Sequence, residues 1–107
     1  MGNGYPGDLR VFTRRALTDF WEQPGRADAE APLRAWFAEV ERARWQSFAD
    51  IRKSYRTADY VGNDRVVFNI GGNKYRLIVM VKFSVGAVYV RFVGTHAEYD
   101  KVDATKV

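Results

Sequence analysis

The segment that most constrains the fold is residues 65–95, where strand-like alternation of side chains is interrupted by two glycine-containing turns. The turns are Gly71-Gly72-Asn73 and Val85-Gly86. Glycine adopts the positive φ angles that tight hairpin turns require. The pattern therefore predicts three consecutive antiparallel strands, at Arg65–Ile70, Lys74–Phe83 and Ala87–Thr95.

The register of these strands can also be predicted, because a one-residue slip would move every side chain to the other face. The first hairpin should pair Ile70 with Tyr75. The second should pair Phe83 with Val88. Both registers place apolar residues on one face, which we expect helices to cover. The opposite face should carry Asn69, Arg76, Ile78, Met80, Lys82, Tyr89, Arg91 and Thr95, with Arg76 between Asn69 and Thr95.

The first half of the chain has helical periodicity instead. A helix should begin after an N-cap at Thr13 and continue to Gln23. A second should begin near Asp28, with Pro32 in its first turn, and form a hairpin with the first. Ser47 followed by Asp50 predicts a capping box and a third, short helix.

The remaining elements complete an α+β fold class. We expect a small, mainly antiparallel sheet with the N-terminal helical hairpin packed on one face and a short C-terminal helix. The minor elements are a short strand at Leu9–Phe12, a turn at Val61–Arg65, a helix from Thr95 or His96, and last residues that fray.

Length and composition exclude several function classes. The 107 residues suit one domain, which we expect at 9–107 after a flexible tail at 1–8. The absence of cysteine excludes disulfides and thiol nucleophiles, and a single histidine, His96, excludes a His-rich metal site. We therefore expect no metal and no cofactor. There is no apolar run of ~20 residues, and residues 1–8 lack signal-peptide features, so we expect a cytoplasmic protein without membrane contact.

Positive charge is concentrated in the strand segment. The formal net charge is +4, yet no Asp or Glu occurs between Arg65 and His96. A basic surface without carboxylates is what binding to RNA phosphates requires. The basic residues of this segment before His96 are Arg65, Lys74, Arg76, Lys82 and Arg91.

Four residues are candidates for metal-independent RNA cleavage, in which the 2′-hydroxyl attacks the adjacent phosphorus. His96 has the only side chain whose unperturbed pKa lies near neutrality. Tyr99 follows three residues later, and Arg76 and Arg91 are suited to hold the phosphate. We expect further RNA contacts from Asn69, Lys74, Lys82, Tyr89, Thr95 and Lys101.

Each candidate also has a structural interpretation. His96 is consistent with a cap or an exposed surface residue, Arg76 and Arg91 with solvated strand charges, and Tyr99 with packing. The residues alone leave two other classes open. One is a non-catalytic basic module that binds RNA or ribosomes, and the other is a degenerate toxin retained for its partner.

The second half of the chain resembles the HigB toxin family in two long, ungapped stretches, Val67–Ile78 and Val90–Asp100. Residues 16–21 and 33–40 resemble the same family's helical hairpin. The resemblance covers Leu9 to Ala104.

The resemblance implies a type II toxin with a RelE-like fold that cuts mRNA, commonly in the ribosomal A site. It implies a helix-turn-helix antitoxin of the HigA type, with operator DNA bound only through the toxin–antitoxin complex. RelE-like toxins have a catalytic arginine after a tyrosine on the middle strand, as Arg76 follows Tyr75. His96 stands where they have another arginine, and Tyr99 is nearest to their C-terminal tyrosine. Their lysines are missing from the strand that contains Val67 and Asn69.

Overall fold

The computed structural model describes residues 9–107, so the tail predicted at residues 1–8 lies outside the described residues. No helix within 9–107 is long and apolar enough to cross a membrane. The elements are β1 (Arg10–Phe12), α1 (Arg14–Trp21), α2 (Glu30–Arg42), α3 (Phe48–Ser54), β2 (Asp59–Gly62), β3 (Arg65–Ile70), β4 (Tyr75–Lys82), β5 (Ala87–Thr95) and α4 (His96–Tyr99), with 3₁₀ turns at Ala27–Ala29 and Phe83–Val85.

Five strands form one sheet in the order β1-β5-β4-β3-β2. Within the described part of the chain, β1 pairs in parallel with β5 and the other strand pairs are antiparallel. The α+β class and the mainly antiparallel sheet are therefore confirmed. The sequence prediction missed β2, which was taken as part of a turn. The turn itself is shorter, at Asn63 and Asp64, which both have positive φ angles.

Helices α1 to α3 and one face of the sheet enclose the main apolar core. Trp36 of α2 lies edge-on to Phe68 of β3, with ring centroids 5.5 Å apart, and Phe20 of α1 lies edge-on to Tyr75 of β4. Such buried aromatic pairs add to the free energy gained by removing apolar area from water. We call the surface of the sheet that packs against α1 to α3 the helix face, and the opposite surface the open face.

One predicted helix cap forms and another does not. The Thr13 hydroxyl accepts a hydrogen bond from the Ala16 N–H at 3.3 Å and caps α1. Ser47 is the N-cap residue of α3, as predicted, but its side chain makes no capping bond, so the predicted capping box is wrong. The Asp50 carboxylate instead accepts from the backbone N–H of Gln46 at 2.9 Å, one residue before the predicted cap.

The two predicted hairpin registers have different outcomes. Ile70 pairs with Tyr75, as predicted. The second register is wrong, because Val81 rather than Phe83 lies opposite Val88. A β-bulge between Val90 and Phe92 then shifts the pairing again, leaving Arg91 as the extra residue. A bulge of this kind reverses the inward and outward alternation beyond it.

The open face carries a small apolar layer of its own. Val67 and Ile78 have only 5% and 0% of their surface exposed, although neither belongs to the main core. The C-terminal segment, residues 100–107, is held on this side of the sheet. Both Arg65 and Arg91 donate hydrogen bonds to the Val107 carbonyl oxygen, at 2.6–3.1 Å. The predicted fraying of the last residues is therefore wrong.

Candidate active site

Arg76 lies near the start of β4, opposite Asn69 on β3, as predicted. Its Nη1 donates to the Asn73 Oδ1 at 2.9 Å, and its Cζ lies 5.8 Å from the centre of the Tyr99 ring. Within residues 9–107 it makes no ion pair with a carboxylate. Its positive charge is therefore available to an anionic ligand on the open face.

Helix α4 brings Tyr99 to Arg76, and its start is fixed by a capping box. The Thr95 hydroxyl accepts from the Glu98 N–H at 3.2 Å, and the Glu98 carboxylate accepts from the Thr95 N–H at 2.8 Å. The pattern Thr-x-x-Glu is visible in the sequence, but the prediction did not use it. The cap commits the Thr95 hydroxyl to the backbone. Thr95 lies opposite Tyr75. The incorrect predicted register had placed it beside Arg76.

A salt bridge from the α1–α2 loop fastens this cap. Arg26 Nη2 lies 2.7 Å from Glu98 Oε2. The hydrogen bond from Arg26, and then the one from the Thr95 backbone, hold the pKa of Glu98 below its usual value. Sequence reasoning missed Arg26, because nothing in the sequence connects residues that are 72 positions apart.

A second anchor fixes the turn before Arg76. Asp28, in the α1–α2 loop, accepts hydrogen bonds from the Lys74 ammonium and the Tyr75 hydroxyl. These two bonds lower the pKa of Asp28, and the same carboxylate raises the pKa values of Lys74 and Tyr75. Lys74 was predicted to bind RNA, but in the structure it forms an ion pair.

His96 is the first residue of α4 and is exposed. Its Nδ1 lies 3.5 Å from Asp100 Oδ2 on the next turn. Tyr99 is three residues from His96, so the two side chains leave the helix on neighbouring sides. One turn of helix thus carries an imidazole and a phenol, and the phenol ring lies beside the Arg76 guanidinium.

Gly94 makes room for this arrangement. It lies opposite Arg76, on the open face. A Cβ atom built on Gly94 would lie 2.5 Å from the Phe92 ring and 3.0 Å from Glu98 Oε1. Any side chain here would displace Phe92 or the carboxylate that caps α4.

The other predicted contacts are not brought to Arg76. Lys82 is six residues further along β4, roughly 20 Å away, and forms an ion pair with Asp64 at 2.7 Å. Tyr89 lies opposite Met80, roughly 13 Å from the level of Arg76. Arg91 occupies the bulge and binds Val107. Lys101 is an exposed residue of the turn that follows α4.

Within the described part of the chain, no three His, Cys, Asp or Glu residues are grouped closely enough to hold a metal ion. A guanidinium, an imidazole and a phenol are suited to hold a phosphate and to move protons.

Comparison with known protein families identifies the family of this chain. The profile of the HigB toxin family, described as the RelE-like toxic component of a toxin-antitoxin system, matches residues 29–102. This chain belongs to the HigB toxin family. The sequence-based assignment is confirmed, and membership of a toxin–antitoxin family implies an antitoxin partner.

Named relatives agree with this assignment. The mRNA interferase toxin HigB of Escherichia coli K12 is 53% identical over 93 residues, which cover 86% of this chain and 88% of the relative. The mRNA interferase HigB of Escherichia coli O157:H7 and that of Shigella flexneri match with the same identity and coverage. These relatives are named mRNA interferases, which is the enzyme class predicted from the sequence.

Proposed function

We propose that this protein is an endoribonuclease toxin that cleaves mRNA on the translating ribosome, on a RelE-like fold, and is neutralised by a HigA-type antitoxin. The names of its relatives support mRNA as the substrate. The observation that carries the catalytic assignment is the contact of Arg76 with the Tyr99 ring, which belongs to the same turn of helix as His96.

The proposed reaction is transfer of the phosphodiester within the RNA itself. The 2′-oxygen forms a bond to the adjacent phosphorus, and the bond from phosphorus to the 5′-oxygen breaks. The products are a 2′,3′-cyclic phosphate and a free 5′-hydroxyl. One proton leaves the 2′-hydroxyl and one reaches the leaving 5′-oxygen, so the step balances without an external reactant.

The side chains divide this work between charge and proton transfer. Arg76 stabilises the charge that accumulates on the phosphate oxygens, because no carboxylate among the described residues neutralises it. His96 and Tyr99 carry the protons, and the Asp100 carboxylate lies 3.5 Å from His96 Nδ1. Asn69, which lies opposite Arg76 on the neighbouring strand, contacts the same RNA strand.

The test maps new 5′ ends on mRNA incubated with the purified protein, with and without translating ribosomes. Cuts that require ribosomes would confirm both the nuclease activity and its dependence on the ribosome. Cuts on free RNA would confirm the nuclease and contradict ribosome dependence. No cuts under either condition would favour a non-catalytic RNA-binding module. Growth arrest on expression without antitoxin, relieved by Arg76→Ala and by His96→Ala, is the matching result in cells.

A further inference from the structure

A second group of exposed aromatic and basic side chains lies on the open face, at the edge formed by β1. Phe12 of β1 is 39% exposed, which is unusual for a phenylalanine. It pairs with Tyr89 across the β1–β5 ladder, so both rings project from the same face of the sheet. Neither residue is part of the main core.

The two rings are already stacked on each other. Their centroids are 5.3 Å apart and their planes differ by 19°. Arg10, two residues before Phe12 and on the same face, has its Cζ 6.0 Å from the Phe12 ring centre. Two stacked rings with a guanidinium over one of them are the features of a platform for an unpaired base.

The surroundings of this platform favour a polyanion. Arg91, in the neighbouring bulge, donates from its Nε to the Val107 backbone oxygen, and neither Arg91 nor Arg10 forms an ion pair with an Asp or Glu side chain within residues 9–107. Beside Arg91 a cavity of about 200 Å³ opens between α1 and β5. The acidic residue in its lining, Asp19, is paired with Arg15 at 3.7 Å.

We propose that Phe12, Tyr89 and Arg10 form a second RNA subsite, which stacks an unpaired base of the strand whose phosphate is held at Arg76. The inference rests on the proposed function for the identity of the strand. The two positions lie on one face, roughly 13 Å apart along the sheet. RNA that reaches both gains affinity, whereas RNA that reaches only Arg76 does not.

The test measures binding of single-stranded oligonucleotides of increasing length, by fluorescence anisotropy. The probes are 2′-O-methyl RNA, which lacks the nucleophilic hydroxyl and is not cleaved. Phe12→Leu keeps an apolar side chain but removes the ring. Tyr60→Leu is the matched control, because Tyr60 is a 51% exposed aromatic on β2 at the opposite edge of the same sheet.

We expect wild-type affinity to rise with probe length, and Phe12→Leu to lower affinity for the longer probes by about tenfold, the loss of one base stack. The shortest probes should bind both proteins equally, and Tyr60→Leu should resemble the wild type. Arg10→Gln should reduce the slope of log affinity against log salt by about 0.7, one phosphate contact on a single strand.

The proposal is wrong if wild-type affinity does not depend on length, or if Phe12→Leu and Tyr60→Leu behave alike. It is also wrong if Phe12→Leu weakens only antitoxin binding, which would make this surface a protein interface. Cleavage of unmodified RNA is measured in parallel. A wild type that shows the length effect but cuts no RNA would contradict the proposed function and leave the subsite supported.

Discussion

The two ends of β4 hold their cations in opposite ways. At one end the Arg76 guanidinium contacts an amide oxygen of Asn73 and the ring of Tyr99, which are both neutral. At the other end the Lys82 ammonium is paired with the Asp64 carboxylate. The strand segment contains no acidic residue, yet acidic residues from outside it neutralise some of its cations. A stretch without acids in the sequence is therefore not the same as a surface without acids.

This difference separates residues that the sequence had grouped together. Lys74 and Lys82 both have carboxylate partners from loops outside the strands, Asp28 and Asp64. Arg76 has none among the described residues. Because Lys82 is neutralised by a carboxylate and Arg76 is not, we expect substitutions at the two ends of β4 to reduce cleavage by very different amounts.

The largest effect is expected from Arg76→Ala. Removal of one preorganised donor to a charged transition state costs about a hundredfold to a thousandfold in rate. The measurement is single-turnover cleavage of an mRNA bound to ribosomes, with thermal unfolding to show that the variant is folded. Lys82→Ala is the control at the other end and should cleave at nearly the wild-type rate. Equal losses in the two variants would contradict the comparison.

Gly94→Ala should have the next largest effect, on both stability and cleavage. The new methyl group meets the Phe92 ring at 2.5 Å and the cap of α4 at 3.0 Å, so one of them must move. Overpacking of this kind costs about 1–3 kcal/mol in the free energy of unfolding, which urea denaturation measures. Adding Phe92→Leu removes the obstructing ring atoms and should restore part of the loss. No recovery in the double variant would show that the clash lies elsewhere.

Low pH should destabilise the region around Arg76, because it protonates Glu98, the residue that caps α4. Its pKa in the folded protein is lowered, chiefly by the hydrogen bond from Arg26. The stability that ionised Glu98 contributes is therefore complete above its usual pKa and is lost as the pH falls through the lower, folded-state value. The free energy of unfolding should fall more steeply below about pH 4.5 in the wild type than in Glu98→Gln.

The glutamine variant isolates the charge, because glutamine also completes a capping box. Glu22→Gln is the control, since Glu22 is exposed and makes no ion pair among residues 9–107. If Glu98→Gln loses stability in acid as steeply as Glu22→Gln does, then the Arg26–Glu98 pair does not support α4.

The smallest effect is expected for the ion pair at the other end of β4. The side chains of Lys82 and Asp64 are 45% and 48% exposed, so water and salt screen their attraction. Lys82→Ala should change the free energy of unfolding by only about 0.2–1 kcal/mol, measured by urea denaturation. A larger loss would mean that this pair organises the turn between β2 and β3.

Local signals in the sequence were sufficient to predict much of the fold. Thr13 was correctly identified as an N-cap, and the bounds of β3 and β5 were predicted without error. The first hairpin register follows from its glycine turn and its alternation. The family could also be recognised from the residues around Arg76 and His96, and this is confirmed.

The errors have physical reasons. Alternation assumes an unbroken ladder, so it cannot reveal that Arg91 is an extra residue in a bulge. It also does not show which loop residue reaches a strand, and Arg26, Asp28 and Asp64 were missed for that reason. The site residues themselves remain predictions, now divided into a group at Arg76 and others placed elsewhere on the sheet.

The parallel pairing of β1 with β5 has a consequence for how the chain is made. Residues 10–12 emerge from the ribosome first, yet their partner strand begins at residue 87. Contacts this distant in sequence form late and slowly. Arg76 is likewise translated before His96 and Tyr99. An elongating chain therefore holds Arg76 without the Tyr99 ring that it contacts in the folded protein, until α4 has also left the ribosome.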